Sequence, residues 1–293
     1  MKSEARAALL FLAPALGVLL LFFFLPVAAG FLLSLTDFDI YALGDPRNVR
    51  FVAFANFSAA LRNAVFWKAL GNTLYFALLG GPLTVAVSLA AALLVNAKAA
   101  RFKPFFRTVY FAPVVTTLVA VAIVFRFLYH PRFGAINRAL GTLGLPAIDW
   151  LGDPRWAMPA IILLAVWKNF GYNMIIFLAG LQAIPDELYE AARIDGAGSL
   201  RQFRHVTLPM LGPTFLFVGT VTAIGYLQLF PEPYVMTHGG PLNQTLSAVM
   251  LMYQEGFRWW RMGYAAAIAF LLCIVIAAAT ALQMRLQERP GDR

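Results

Sequence analysis

The 293-residue chain has one cysteine, three histidines and few charges. With Cys273 alone, neither an intramolecular disulfide nor a cysteine-based metal site is available. A lone cysteine in an apolar run is expected to act as a small core hydrophobe. His130, His205 and His238 fall in loop regions far apart in sequence and are expected at the surface. The apolar runs contain no paired carboxylates, no Gly-x-Ser-x-Gly and no metal-spaced histidines, so the chain lacks the machinery of an intramembrane enzyme. A phosphate-binding G-x-x-x-x-G-K-[ST] loop is also missing, so any nucleotide chemistry has to come from a partner. Charged residues make up only 13% of the chain, against 61% hydrophobic, with a mean hydropathy of +0.73. Soluble domains carry about 25% charged residues. So few charges cannot coat a soluble globule of this size, and the chain reads as an integral membrane protein. Its net charge of +9 then sets orientation in the bilayer and does not indicate nucleic-acid binding.

What is present is grease in six runs, at about 7–35, 71–95, 108–129, 156–181, 212–230 and 264–284. Each reaches the roughly 20 residues a helix needs to cross a bilayer. Backbone groups in lipid must be satisfied within the segment, so the runs are predicted to be helices in one transmembrane domain covering 1–293. Lys2 and Arg6 precede the first run, and Val27-Ala28-Ala29 resembles a signal-cleavage site. The run exceeds the usual signal core of about 7–15 residues, so a retained span is expected, with a cleaved signal as the alternative. With the N-terminus cytoplasmic, twelve Lys and Arg (Lys2, Arg6, Lys98, Arg101, Lys103, Arg107, Arg193, Arg201, Arg204, Arg285, Arg289, Arg293) fall on the cytoplasmic side, in short connectors. Nine fall on much longer outer pieces, which supports both termini inside. Trp150, Trp156, Trp259, Trp260 and Tyr264 lie near run ends and are expected as interfacial anchors.

The most polar continuous stretch lies between the fourth and fifth runs, at 185–209. Pro185, Asp186 and Glu187 are helix-start signals. Leu188, Ala191 and Ala192 share a face, and Gly196 and Gly198 end the helix. Ser199 and Gln202 fit a capping box that opens a second helix. Pro209 stops or kinks that helix as the chain re-enters the membrane. A helical knob of this kind, with small residues at its surface, suits docking into a groove of another protein. An interfacial hairpin on lipid head groups is the alternative, and a DNA-reading helix-turn-helix tethered between two spans is disfavoured.

The spacing Glu190-Ala191-Ala192, then Gly196, then nine residues and Val206-Thr207-Leu208-Pro209 resembles the EAA loop of bacterial ABC importer permeases. The family prefers Ile where this chain has Val206. "YVMTHGGP" (Tyr234–Pro241), "GLQAIPDELYEAARIDGAG" and the opening "LFLAPALGVLLLFFFLP" resemble the carbohydrate-uptake branch, of maltose and glycerol-phosphate permease type. The resemblance covers nearly the whole chain. It implies an all-α type I permease fold with six transmembrane helices and a cytoplasmic coupling helix, in a bacterial inner membrane. Glu190, Ala191, Ala192, Gly196, Leu208 and Pro209 would seat in a cytoplasmic ABC ATPase dimer. The implied partners are that ATPase, a second homologous permease subunit, an extracytoplasmic solute-binding protein, a sugar and membrane lipid, with no nucleic acid. ATP and Mg²⁺ would be used by the ATPase, with no cofactor, metal or catalytic residue in this chain.

A sugar site needs aromatic faces and amide or hydroxyl groups in a largely apolar cleft. Asn169, Tyr172 and Asn173 follow i, i+3, i+4 in the fourth run, and Thr222 and Tyr226 are four apart in the fifth, with Gln228 just beyond. Polar groups inside a span usually face the bundle interior. By the resemblance, these residues fall where sugar contacts occur; helix–helix hydrogen bonding is the alternative for the two asparagines. Lys168 at span depth could snorkel, pair with an acid or meet the partner subunit. The family often has Phe-Asp where this chain has Phe230-Pro231-Glu232-Pro233, so two prolines are expected to bend the end of the fifth run, and Glu232 could replace the missing acid. A permease for a polyol, phosphate ester or peptide is the alternative cargo reading. A self-sufficient secondary transporter is disfavoured, because the second, fifth and sixth runs contain no Asp, Glu, Lys or Arg.

Overall fold

The computed structural model describes residues 2–97 and 101–287; Lys98, Arg289 and Arg293, used above for orientation, lie outside them. Among the described residues the regular secondary structure is all helical, apart from one isolated bridge between Thr36 and Phe51. Four helices are long and apolar enough to span: Phe11–Ser34 within α1 (residues 2–34), α2 (Ala64–Asn96), α5 (Ala157–Gln182) and Met262–Arg285 within α10 (Met262–Gln287). Two further pairs pass only together. These are α3 (Lys103–Val115) with α4 (Leu118–Leu128), bent by 97°, and α7 (Ser199–Met210) with α8 (Gly212–Leu227), bent by 66°. Counting each bent pair as one span gives six. Between them lie α6 (Asp186–Ile194) and the short α9 (Pro231–Met236).

The third apolar run is therefore two helices rather than one. Pro113 sits near the end of α3, and Thr116 and Thr117 are extended, which breaks the helical ladder. Thr116 partly mends the break by donating its hydroxyl to the Pro113 carbonyl at 2.6 Å. The second helix begins at Ala64, seven residues before the apolar run. Asn63 stands before it and accepts the Val65 amide at 2.9 Å, serving as a cap. At about 1.5 Å per residue the 33 residues of α2 reach roughly 50 Å, well past a hydrocarbon core of about 30 Å.

Two compact units divide the chain. In the unit formed by residues 2–66 and Leu251–Ile274, Phe31 meets Phe270 edge to face at 5.2 Å. There Asn63 donates to the Tyr264 hydroxyl at 3.1 Å, and Arg261 pairs with Glu255 at 3.0 Å. Cys273, expected in a core, is exposed on α10. The helix is apolar all round, and in a lipid-facing helix apolarity does not mark the buried side.

The other unit, residues 67–250 and 275–287 of the described chain, holds two hydrophobic clusters. One gathers Phe76, Tyr129, Trp150, Ile161 and Leu164; the other gathers Ala92, Met174, Phe177, Leu211 and Val218. Trp150 is a core residue, not an interfacial anchor. It is 8% exposed, and its indole N–H donates to Asn137 at 3.0 Å. Tyr264 in the first unit is likewise buried, whereas Trp156, Trp259 and Trp260 are exposed. Where α5 crosses α3, Gly171 lets the backbones touch, since a Cβ there would lie 2.0 Å from the Tyr110 carbonyl oxygen.

Candidate functional site

Two places in the second unit gather the candidate residues. The first is the helical knob formed by α6 and α7. Asp186 and Glu187 occupy the first turn of α6, where acids favour the helix dipole, and Pro185 stands before it in extended conformation. At its end the Ala197 amide reaches the Ala192 carbonyl at 2.8 Å and the Gly196 amide reaches Arg193 at 3.0 Å. This is a Schellman cap, and Gly196 takes the left-handed φ of +76° that it requires. The second helix starts differently from the capping box expected of Ser199. Gly198 holds the cap position with no side-chain bond, and Gln202 reaches back to the Ala197 carbonyl at 2.7 Å. The Schellman turn places that carbonyl within Gln202's reach, so the amide satisfies it instead of closing the box.

Glu190, Ala191 and Gly196 are exposed, while Ala192, Leu208 and Pro209 are half-buried. Two large apolar side chains project outward beside them, Ile194 at 87% and Leu200 at 80% exposure. The knob is tied to the bundle. Tyr189 packs against the Met174–Phe177 cluster, and its hydroxyl meets Thr207 at 3.0 Å. Arg201, Arg204 and His205 lie on the exposed side of α7.

The second place is a cavity of about 300 Å³. All five candidate polar residues line it: Asn169, Tyr172 and Asn173 from α5, Thr222 and Tyr226 from α8. Asn169 and Asn173 stand at the middle of the 26-residue α5, so the cavity lies near the midpoint of a span. Gln228, Leu229, Pro231 and Glu232 close it at the break between α8 and α9. Phe76, Val114, Val221 and Gly225 complete the wall, and the sequence carries no sign of them, because each is one apolar or small residue among many in its run.

Within this wall the polar groups largely satisfy one another. Asn173 donates to the Thr222 hydroxyl at 2.9 Å, joining α5 to α8. Asn169 donates to the Ala165 carbonyl at 2.9 Å. Tyr226 is 6% exposed; its ring stacks on Phe76 at 4.8 Å and its hydroxyl bonds Thr84. Tyr172 differs, being 46% exposed. Lining the cavity and joining helices are thus both true of Asn173 and Thr222, while Tyr172 is the open aromatic face.

Lys168 neither snorkels nor forms a direct salt bridge among the described ion pairs. Its ammonium donates to the Val114 carbonyl at 3.0 Å, at the broken C-terminal end of α3. A cation there satisfies an orphan carbonyl and meets the negative end of the helix dipole. Glu232 is 9% exposed in the first turn of α9.

Comparison with known proteins gives the family and the fold. The sequence model of the family described as "binding-protein-dependent transport system inner membrane component" matches residues 83–290. The arabinooligosaccharides transport system permease protein AraP of Bacillus subtilis is 35% identical, covering 97% of this chain and 89% of that protein. The lactose transport system permease protein LacF of Rhizobium radiobacter is 37% identical, covering 94% of this chain and 91% of that protein. A crystal structure of a bacterial ABC transporter that imports the acidic polysaccharide alginate superposes with a TM-score of 0.81 at 23% identity, covering 99% of each chain.

Proposed function

The chain belongs to the family of binding-protein-dependent transport system inner-membrane components, and from that premise we propose that it is a membrane subunit of an ATP-driven sugar importer. It is a transport subunit and not an enzyme. The observation that carries the cargo reading is the cavity at the middle of α5, where Asn169, Asn173, Thr222 and the open ring of Tyr172 come together. Amides, hydroxyls and a planar ring in a small apolar cleft match what a sugar needs. The α3–α4 break and the α8–α9 break both end at this cavity. Transporters commonly place solutes beside discontinuous helices near the bilayer midplane. Tyr226, sealed against Phe76 and Thr84, shapes the wall; Tyr172 takes the sugar face.

The knob is the handle for a cytoplasmic ATPase dimer. Glu190, Ala191, Ala192, Gly196, Leu208 and Pro209 form or support its surface, and Ile194 and Leu200 supply apolar area for a groove on the partner. ATP and Mg²⁺ belong to that ATPase, and this chain binds no cofactor. The whole chain acts as one permease domain with both termini cytoplasmic, consistent with its dense inner Lys and Arg. A second permease subunit supplies the other half of the pathway, and an extracytoplasmic binding protein delivers the solute.

The test is purification of the tagged protein from native membranes, followed by ATP-dependent sugar uptake in proteoliposomes. An ATPase, a second permease and a binding protein should co-purify. Burying an Ile or Leu side chain is worth about 1.5–3 kcal/mol, so Ile194→Asp with Leu200→Asp should lower ATPase recovery about tenfold or more. Undiminished recovery and uptake would remove the docking role, and ATP-driven uptake of only non-sugar solutes would remove the cargo reading.

A further inference from the structure

Membership of the family leaves the charge of the sugar open, and the cavity addresses it. We propose that Glu232 makes this half of the pathway selective for neutral saccharides over acidic ones. The inference rests on reading the cavity as the sugar site. Two independent features of the wall carry it.

The first is the absence of a cation. Among the described residues lining the cavity there is no Lys, Arg or His. Carboxylates and phosphates are usually held by Arg forks or Lys ammonium groups. The nearby cation, Lys168, is committed elsewhere: it donates to the Val114 carbonyl at the end of α3 and is 8% exposed. The second is an acid in the wall. Glu232 lines the cavity at 9% exposure. With its ammonium on the Val114 carbonyl, Lys168 does not offer its charge to a ligand. A carboxylate accepts hydrogen bonds from sugar hydroxyls, as do the carbonyl oxygens of Asn169 and Gln228. When Glu232 is ionised, a uronate in the same place sets like charges together, and such juxtaposition is costly.

Pro231 and Pro233 bracket the acid and start α9 at this point, so its backbone position is set by the α8–α9 break. Where the two prolines are expected to bend the fifth run, the helix instead ends at Leu227 and a new one starts at Pro231, which sets the acid in the cavity wall.

The experiment uses the complete importer in nanodiscs, with its ATPase and second permease and without the binding protein. Methyl α-glucoside and the methyl glycoside of glucuronate are compared by saturation-transfer difference NMR. Loss of signal in Tyr172→Ala assigns binding to this cavity. The expected result is at least a tenfold preference for the neutral probe in the wild type. That preference should collapse toward unity in Glu232→Gln and persist in Glu232→Asp, which keeps the charge. Equal binding of the two probes by the wild type overturns the proposal while leaving the sugar site in place. A preference that survives in Glu232→Gln overturns the role of this residue. No signal from the neutral probe, or one indifferent to Tyr172→Ala, overturns the reading of the cavity itself. The wild-type ratio needs no variant, so a variant that fails to assemble leaves the proposal testable.

Discussion

The cavity and the knob use opposite chemistry for their surroundings. Around the cavity, polar groups are drawn inside an apolar bundle, and most are satisfied by a neighbour: Asn173 by Thr222, Tyr226 by Thr84, Lys168 by Val114. On the knob, apolar groups are pushed outside a polar helix pair, with Ile194 and Leu200 almost fully exposed. Each is the reverse of what its medium favours. A buried polar group in a span is costly without a partner, and Ile194 and Leu200 are left largely uncovered by the described residues of the chain. In the proposed function the knob is completed by another protein and the cavity by a solute.

Three experiments sharpen that contrast, in falling order of effect. The largest effect is expected at the knob. A Cβ on Gly196 would meet nothing within 4 Å, so within this chain substitution there acts through the backbone alone. Holding an L-residue in the left-handed region costs about 1–2 kcal/mol, and more for a β-branched one. Gly196→Val should therefore unwind the turn between α6 and α7 and reduce uptake to near background, with the protein at its normal membrane level by immunoblot. Gly196→Asn, which tolerates this φ, should retain most activity. Equal uptake by both variants and the wild type would end the case for a rigid handle.

Next is the cavity's open face. Tyr172→Ala should cut uptake about tenfold, the scale of one lost aromatic stacking interaction of about 1.4 kcal/mol. ATPase co-purification and thermal stability should hold. If assembly fails instead, Tyr172 is a packing residue.

The smallest effect tests the self-satisfied part of the wall. A double-mutant cycle on Asn173→Ala and Thr222→Ala, read by thermal unfolding in detergent, should show a coupling of about 0.6 kcal/mol, typical of interhelical hydrogen bonds in membranes. A coupling of several kcal/mol would place this pair at the centre of fold stability. A value near zero would mean that the hydrogen bond contributes no net stability.

The knob was readable almost residue by residue because its signals are local. Acids at the start of α6, Gly196 at its end and Pro209 before the turn into α8 each act within one or two helical turns. Even there, Ser199 misled. A capping-box pattern names a possible bond, and the Schellman turn just before it redirected Gln202 to Ala197. The shared face of Asn169, Tyr172 and Asn173 was equally local, since helical spacing alone aligns them. The partner of Asn173 was not, because Thr222 is 49 residues away and nothing in either run marks the pairing. Trp150 and Cys273 went opposite ways for one reason. Composition gives the medium a residue can tolerate, and does not give the side of the helix that faces in.

Membrane residence, helical structure, the polar insert and its turn chemistry follow from sequence alone, because the bilayer imposes length and hydrogen-bond rules on each segment separately. The break at Thr116–Thr117, the use of Lys168 to hold the end of α3, and the meeting of Phe76, Val114 and Glu232 around one cavity were decided by tertiary structure. These depend on which helices lie side by side. Proline and threonine at a break only permit a bend. A neighbouring helix with a cation at the right height makes the freed carbonyl affordable in lipid.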